Sequence, residues 1–224
     1  PNGADASGTV ADGSTVLIGG FGTAGIPSEL SEGLIAQGAR GLTIVNNNAG
    51  NGDAGLARLL KAGCVEKIIC SFPRQSDSWV FDDLYRRKEI VLELVPQGNL
   101  AERIRAAGAG IGGFFTPTGY GTALAKLPSG EPKETRLING RWYVYETPIA
   151  GDLALVHAEC GDRWGNLTYR MAARNFGPVM ATAAKHTVAS VRTIKNLGEI
   201  DPEHIVTPGI YVAKVVCRAS EAER

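Results

Sequence analysis

The chain is poor in the residues and patterns that announce the commoner chemistries. Its four cysteines, Cys64, Cys70, Cys160 and Cys217, include no C-x-x-C pair, and in 224 residues they are too few for a disulfide framework. Reduced, buried thiols are expected. Its three histidines, His157, His186 and His204, lack metal-ligand spacing, so each reads as a surface or packed side chain and no metal is expected. No charge of one sign predominates, since 23 Lys and Arg balance 23 Asp and Glu. Such a chain has no overall field for nucleic acid or a charged membrane surface, and any anionic ligand must be held by local geometry. No apolar run approaches the roughly 20 residues that span a bilayer. The opening "PNGADASGTVADG" lacks a basic and then apolar signal pattern. The expectation is a soluble, cytoplasmic protein with neither a nucleic-acid nor a membrane partner.

What is present is alternation. The β-branched runs "TVLIG", "LTIVN", "VEKIIC" and "IVLELV" are separated by the helical patterns "PSELSEGLIAQG", "AGLARLLKAG" and "SDSWVFDDLYRRK". That order predicts βαβ units: an α/β fold with an open, mostly parallel sheet and helices on both faces. With 44% hydrophobic residues, one core suffices, and residues 1–224 read as one domain. Pro27 suits the first position of a helix in which Leu30 and Leu34 lie one turn apart. "PQGNLAERIRAAGAG" reads as another helix, with Leu100 and Ile104 on one face and Gly108 as its stop. After it, "GAGIGGFFTPTGYGT" reads as a glycine-rich loop. "ETRLINGRWYVYETP" centres on Asn139-Gly140 and predicts a projecting type I′ hairpin near residues 135–147. "DLALVHA", "HTVASVRTI" and "GIYVAKVV" read as strands.

Candidate sites cluster at predicted strand ends. "GGFGTAG" (Gly19, Gly20, Phe21, Gly22, Thr23, Ala24 and Gly25) occupies the first strand-to-helix turn, where helix N–H groups favour negative charge. It fits a tight packing turn or a backbone that approaches a ligand. It has neither the dinucleotide spacing nor the Gly-Lys-Ser/Thr of a phosphate loop. Asn46, Asn47 and Asn48 follow the second strand, either shaping the turn or offering amide donors to one crevice. Gln97 holds the equivalent place on a later strand. Uncharged donors around one crevice suit an oxyanion better than acid–base chemistry. Arg74 and Gln75 stand just past another strand end; for Arg74 an ion pair and a substrate contact are both open. "GYGTA" is no G-x-S-x-G elbow, so a serine hydrolase is not expected.

Residues 12–27, "DGSTVLIGGFGTAGIP", resemble the N-terminal signature of family I CoA-transferases: Asp-Gly, two free positions, three apolar residues, Gly-Gly-Phe, three free positions, Gly, one free position and Pro. Every fixed position is filled. "NNAGN", "PQGNLAERIRA", "FFTPTGYGT", "GDRWGNLTYR", "ARNFGP" and "TPGIYV" are similar to that family's A (alpha) subunits, in the same order. Only the first dozen residues depart, and that terminus reads as truncated or altered. "SFPRQSDSWVFDDLYRR" resembles the branch acting on 3-oxoadipate in aromatic degradation. Acetoacetate is the alternative acceptor, and a non-catalytic acyl-CoA-binding module the alternative of another class.

The resemblance implies a ping-pong transfer through a glutamyl-CoA thioester, with succinyl-CoA as donor and no permanently bound cofactor. It places the glutamate nucleophile in a Ser-Glu-Asn-Gly segment of a B (beta) subunit. This chain has only the pairs Ser28-Glu29, Ser31-Glu32 and Ser220-Glu221, none in that context, so alone it is expected to be inactive. Its implied share is half a site. The glycine turn, Asn47, Asn48 and Thr118 contact CoA and the acyl group, Gln97 donates to the oxyanion, and Arg74 and Gln75 hold the acceptor's distal carboxylate. Thr116 and Tyr120 line the acyl pocket or serve packing.

Overall fold

The computed structural model describes residues 10–218. The β-branched runs form strands β1 (Thr15–Ile18), β2 (Leu42–Val45), β3 (Val65–Cys70) and β4 (Val91–Leu94). Between and after them stand helices α1 (Ser28–Gln37), α2 (Leu56–Lys61), α3 (Trp79–Arg86) and α4 (Gln97–Gly108). Alternate strand residues point to opposite faces. Val16, Ile18, Ile44 and Ile68 therefore pack with Leu30 and Leu34 of α1, Leu56 and Leu60 of α2, and Phe81 of α3. Leu17, Val45 and Ile69 pack on the other face with Leu100 and Ile104 of α4 and Met180 of α5 (Gly177–Thr182). Burying each such side chain contributes about 1.5–3 kcal/mol.

The main sheet runs β11 (Lys214–Cys217), β10 (Ala184–Lys195), β8 (Gly151–Asp162), β1, β2, β3, β4, all parallel, with β9 (Leu167–Thr168) antiparallel to β8. The chain steps outward from β1 to β4, then returns to β8 on the other side of β1. Strand order thus reverses at β1, and a crevice at the carboxyl ends of β1, β2 and β8 follows from that reversal. A second sheet of β5 (Phe114–Thr116), β7 (Arg141–Glu146) and β6 (Thr135–Ile138) lies beside α4. The β6–β7 hairpin turns at Asn139 and Gly140, both at positive φ (48° and 76°), as a type I′ turn demands.

Several local expectations are corrected. "GAGIGGFFTPTGYGT" is not all loop, because Phe114–Thr116 pairs with β7 and forms the third strand of the small sheet. "GIYVAKVV" is not one strand: Tyr211 and Val212 bond back to Pro208 and Gly209 in a 3₁₀ turn, and β11 starts at Lys214. Pro27 stands one residue before α1. Gly108 is the last residue of α4, as expected, and it is also a packing residue, since a Cβ there would lie 2.3 Å from Thr182 Oγ1. The left-handed residue follows the helix end, at Gly110 with φ 69°. Of the four thiols only Cys64 and Cys70 are buried; Cys160 is half-buried and Cys217 exposed. No described helix is long and apolar enough to cross a membrane. The unfamiliar lead-in at residues 1–9 and the tail holding Ser220-Glu221 lie outside the described residues.

Candidate active site

The glycine turn leaves β1 as a two-residue hairpin in which Phe21 and Ala24 exchange both backbone hydrogen bonds at 3.0 Å. Its glycines divide into two kinds. Gly25 (φ 72°) has no room, because a Cβ would sit 2.6 Å from the Ala173 carbonyl oxygen. Gly22 (φ 61°) is open, with only Gln75 Nε2 near its missing Cβ, at 3.9 Å. Asn175 holds this turn: its Oδ1 accepts from Gly20 N at 3.0 Å and its Nδ2 donates to Ala24 O at 3.1 Å.

The asparagines after β2 are all but inaccessible. Asn46 Nδ2 donates to Ile18 O (2.6 Å), Asn47 Nδ2 to Ser71 Oγ (2.8 Å) and Asn48 Nδ2 to Gly22 O (3.3 Å). Oδ1 of Asn46 and of Asn48 accepts from the backbone two residues on. This corrects the picture of three amides pointing freely into a crevice. At such burial an unbonded amide is costly, so these side chains fasten neighbouring turns to one another. Asn48 alone of the three lines a cleft of about 170 Å³, together with Gly22, Thr23, Ser28, Asn51 and Gly55.

Beyond β3, Gln75 borders that cleft through a hydrogen bond from Asn51 Nδ2 to its Oε1. Arg74 turns away: its Nε donates to Asp82 at 2.6 Å and its guanidinium lies 5.8 Å from the centre of the Tyr85 ring. Of the two readings of Arg74, the geometry realises the ion pair. Cys70 ends β3 just below, and burial pushes its thiol up to about 12, so it stays protonated and inert.

Gln97 opens α4 above β4, exposed. Neither α1 nor α4 has a side-chain cap, so the N–H groups of their first turns face the carboxyl-end rim of the sheet unpartnered by a cap. The rim therefore carries the glycine turn, Asn48, Gln75 and Gln97 over four neighbouring strands. Thr118 is not among the residues lining the cleft; it is exposed in the turn after β5, its N–H donating to Thr116 Oγ1. Tyr120 stacks on Trp142, ring centres 5.5 Å apart. The structure adds Asn51, Ser28 and Asn175, which sequence reasoning did not single out. Asn51 stands in "NNAGN" and Asn175 in "ARNFGP", but Asn175 lies 155 residues from its partner Gly20, so no spacing signal pairs them.

The comparisons agree with this architecture. The Coenzyme A transferase family matches residues 3–218. The A subunit of the 3-oxoadipate CoA-transferase of Pseudomonas putida is 66% identical over 213 residues, covering 95% of this chain and 90% of that protein. The A subunit of the succinyl-CoA:3-ketoacid coenzyme A transferase of Xanthomonas campestris pv. campestris (strain B100) is 44% identical, covering 97% and 87%. Among solved structures, an acyl-CoA transferase from E. coli O157:H7 in a thioester complex with CoA superposes with a TM-score of 0.83 at 23% identity, covering 97% of this chain and 49% of that one. The match across nearly the whole described chain, on a parallel sheet with its polar turns at the carboxyl ends, shows that this chain belongs to the coenzyme A transferase family.

Proposed function

We propose that the chain is the A subunit of a two-subunit enzyme that moves CoA from succinyl-CoA to 3-oxoadipate. The observation that carries the acceptor is the 66% identity to a relative named for 3-oxoadipate, against 44% to a relative named for 3-ketoacids. Both relatives are named as A subunits, which supports a partner chain. So does the size of the cleft: about 170 Å³ is well below the roughly 300 Å³ at which ligand pockets usually begin. It receives one end of an acyl-CoA, and a second chain completes the site.

In this reading the partner's glutamate attacks the succinyl thioester carbonyl and expels CoA thiolate, leaving an acyl-glutamyl anhydride. The thiolate then attacks the glutamyl carbonyl, releasing succinate and forming glutamyl-CoA. The acceptor's carboxylate repeats the two steps in reverse, and the glutamate is regenerated. Each attack puts negative charge on a carbonyl oxygen. Gln97 and the uncapped N–H groups of α4 supply neutral donors for that oxygen. The open backbone at Gly22 and Thr23, with Asn48, contacts the acyl end of the CoA thioester. Gln75 meets the distal carboxylate, which Arg74 reaches only by exchanging its contact with Asp82. Thr118, exposed in the turn after β5 and outside the cleft, has no part in this reading.

The test is succinyl-CoA-dependent formation of 3-oxoadipyl-CoA by the purified chain, alone and then with its B subunit, with acetoacetate in parallel. Activity only in the mixture and preferring 3-oxoadipate is expected. Turnover by the chain alone refutes the split site, and preference for acetoacetate refutes the acceptor.

A further inference from the structure

Behind the rim, α4, β4 and the small sheet meet around buried charges. Arg103 of α4 is 8% exposed. Its Nη1 donates to Glu93 of β4 at 2.9 Å, its Nε to the Thr147 carbonyl at 2.7 Å, and it lies 3.8 Å from Glu146. Glu93 also takes Lys67 of β3 at 2.6 Å. Glu146, at the end of β7, is 2% exposed and accepts from Lys133 at 2.8 Å and from Asn99 Nδ2 at 3.3 Å.

Such a cluster is a poor way to gain stability, because apolar side chains of the same shape hold buried interfaces as well or better. What it supplies is direction, since a planar guanidinium donates to its partners at fixed angles. The direction matters at the start of α4. That turn has no side-chain cap, and Gln97 heads it. Asn99 sits two residues on, in the same turn, and its amide is held by Glu146. Arg103, under two helical turns further along, is held by Glu93 and Thr147. The helix is thus fastened at two points, one to the small sheet and one to both the edge strand and the small sheet.

We propose that Arg103 and Glu146 are positioning residues for Gln97: together with Asn99 they orient the first turn of α4 and so set where the Gln97 amide meets the oxyanion. The inference rests on the oxyanion reading of Gln97, and the experiment separates the two. In the assembled enzyme, R103M, R103K, E146Q, Q97A and the double variant Q97A/E146Q are compared for kcat, KM and thermal stability. R103M and E146Q are expected to lower kcat about tenfold to a hundredfold while KM for succinyl-CoA stays within about twofold. R103K recovers part of the loss. The double variant is no slower than Q97A alone, because a displaced donor that is already absent has no further effect. R105A, on the exposed face of the same helix in a pair with Glu102, leaves turnover unchanged.

Unchanged kcat in both R103M and E146Q overturns the proposal. So does a double variant slower than Q97A by the full factor of E146Q, which marks a merely structural role. If R103M does not fold, E146Q, which keeps the shape of the carboxylate, decides alone. A Q97A enzyme within a few-fold of the parent overturns the oxyanion reading and this inference with it; a slow Q97A beside an unaffected E146Q and R103M overturns only the inference.

Discussion

The rim above β1 to β4 and the charged cluster behind α4 both bury polar groups, by opposite means. At the rim the buried groups are neutral: the amides of Asn46, Asn47 and Asn48, each bonded to a neighbouring turn. In the cluster they are ions: buried Arg103 and Glu146 join half-buried Glu93, Lys67 and Lys133 in a chain of contacts from 2.6 to 3.8 Å. The difference follows from what each region must do. In the proposed reaction charge develops at the rim, and a frame fastened by neutral amides puts no permanent counter-ion there. Where nothing reacts, paired charges can serve as oriented fasteners.

The contrast is most sharply tested within the glycine turn, where one glycine belongs to the frame and another lines the open cleft. Gly25→Ala forces a Cβ against the Ala173 backbone at positive φ, and a loss of about 2–5 kcal/mol is expected from overpacking and strain together. Gly22→Ala has room and costs only the left-handed backbone, about 1–2 kcal/mol, yet raises KM for the acyl-CoA. Urea unfolding and steady-state kinetics on both variants check this; equal effects on stability would erase the distinction.

The next effect is on pH dependence. Burial alone would raise the Glu93 carboxyl, but hydrogen bonds from Lys67 and Arg103 outweigh it and hold the group below its ordinary 4.5. A depressed folded value means that the contribution is full above about pH 4.5 and drains as pH falls through the folded value. Glu93→Gln is therefore expected to flatten the acid limb of a stability profile measured below pH 4.5 while leaving the profile near neutrality parallel to the parent. An acid limb as steep as the parent's would show that the cluster does not act as an ion network.

The smallest effect concerns Arg74, whose pair with Asp82 is largely exposed and so worth little. If the guanidinium exchanges Asp82 for the acceptor's distal carboxylate, Arg74→Lys lowers selectivity for 3-oxoadipate over acetoacetate about twofold to fivefold. Unchanged selectivity leaves Arg74 with Asp82 alone and the carboxylate with Gln75.

Much of the fold was legible because its signals are local. Leu30 and Leu34, and Leu100 and Ile104, fall one helical turn apart and all four are buried where the spacing put them. Asn139-Gly140 turns the hairpin by itself. Errors came where distant packing overrode local texture. Phe114–Thr116 sits in a glycine-rich stretch that looks like loop, and it is a strand because β7 offers a pairing edge 28 to 32 residues later. Gly108 ends α4 as its place suggests, but that it is also the contact between α4 and α5 is decided by packing alone.

The sequence by itself determined the alternation of strands and helices, the turn that only glycines can make, the hairpin and the family, since each depends on backbone preference or spacing within a few residues. Only the tertiary structure decided which glycine stands open at the cleft and which faces Ala173, that the asparagines fasten turns rather than point into the crevice, and that Asn175 straps the glycine turn. It also decided that Glu146 reaches Asn99 across 47 positions. Those are pairings between segments far apart in the chain, and the partner of a buried polar atom is chosen by whichever group packing brings within hydrogen-bond reach.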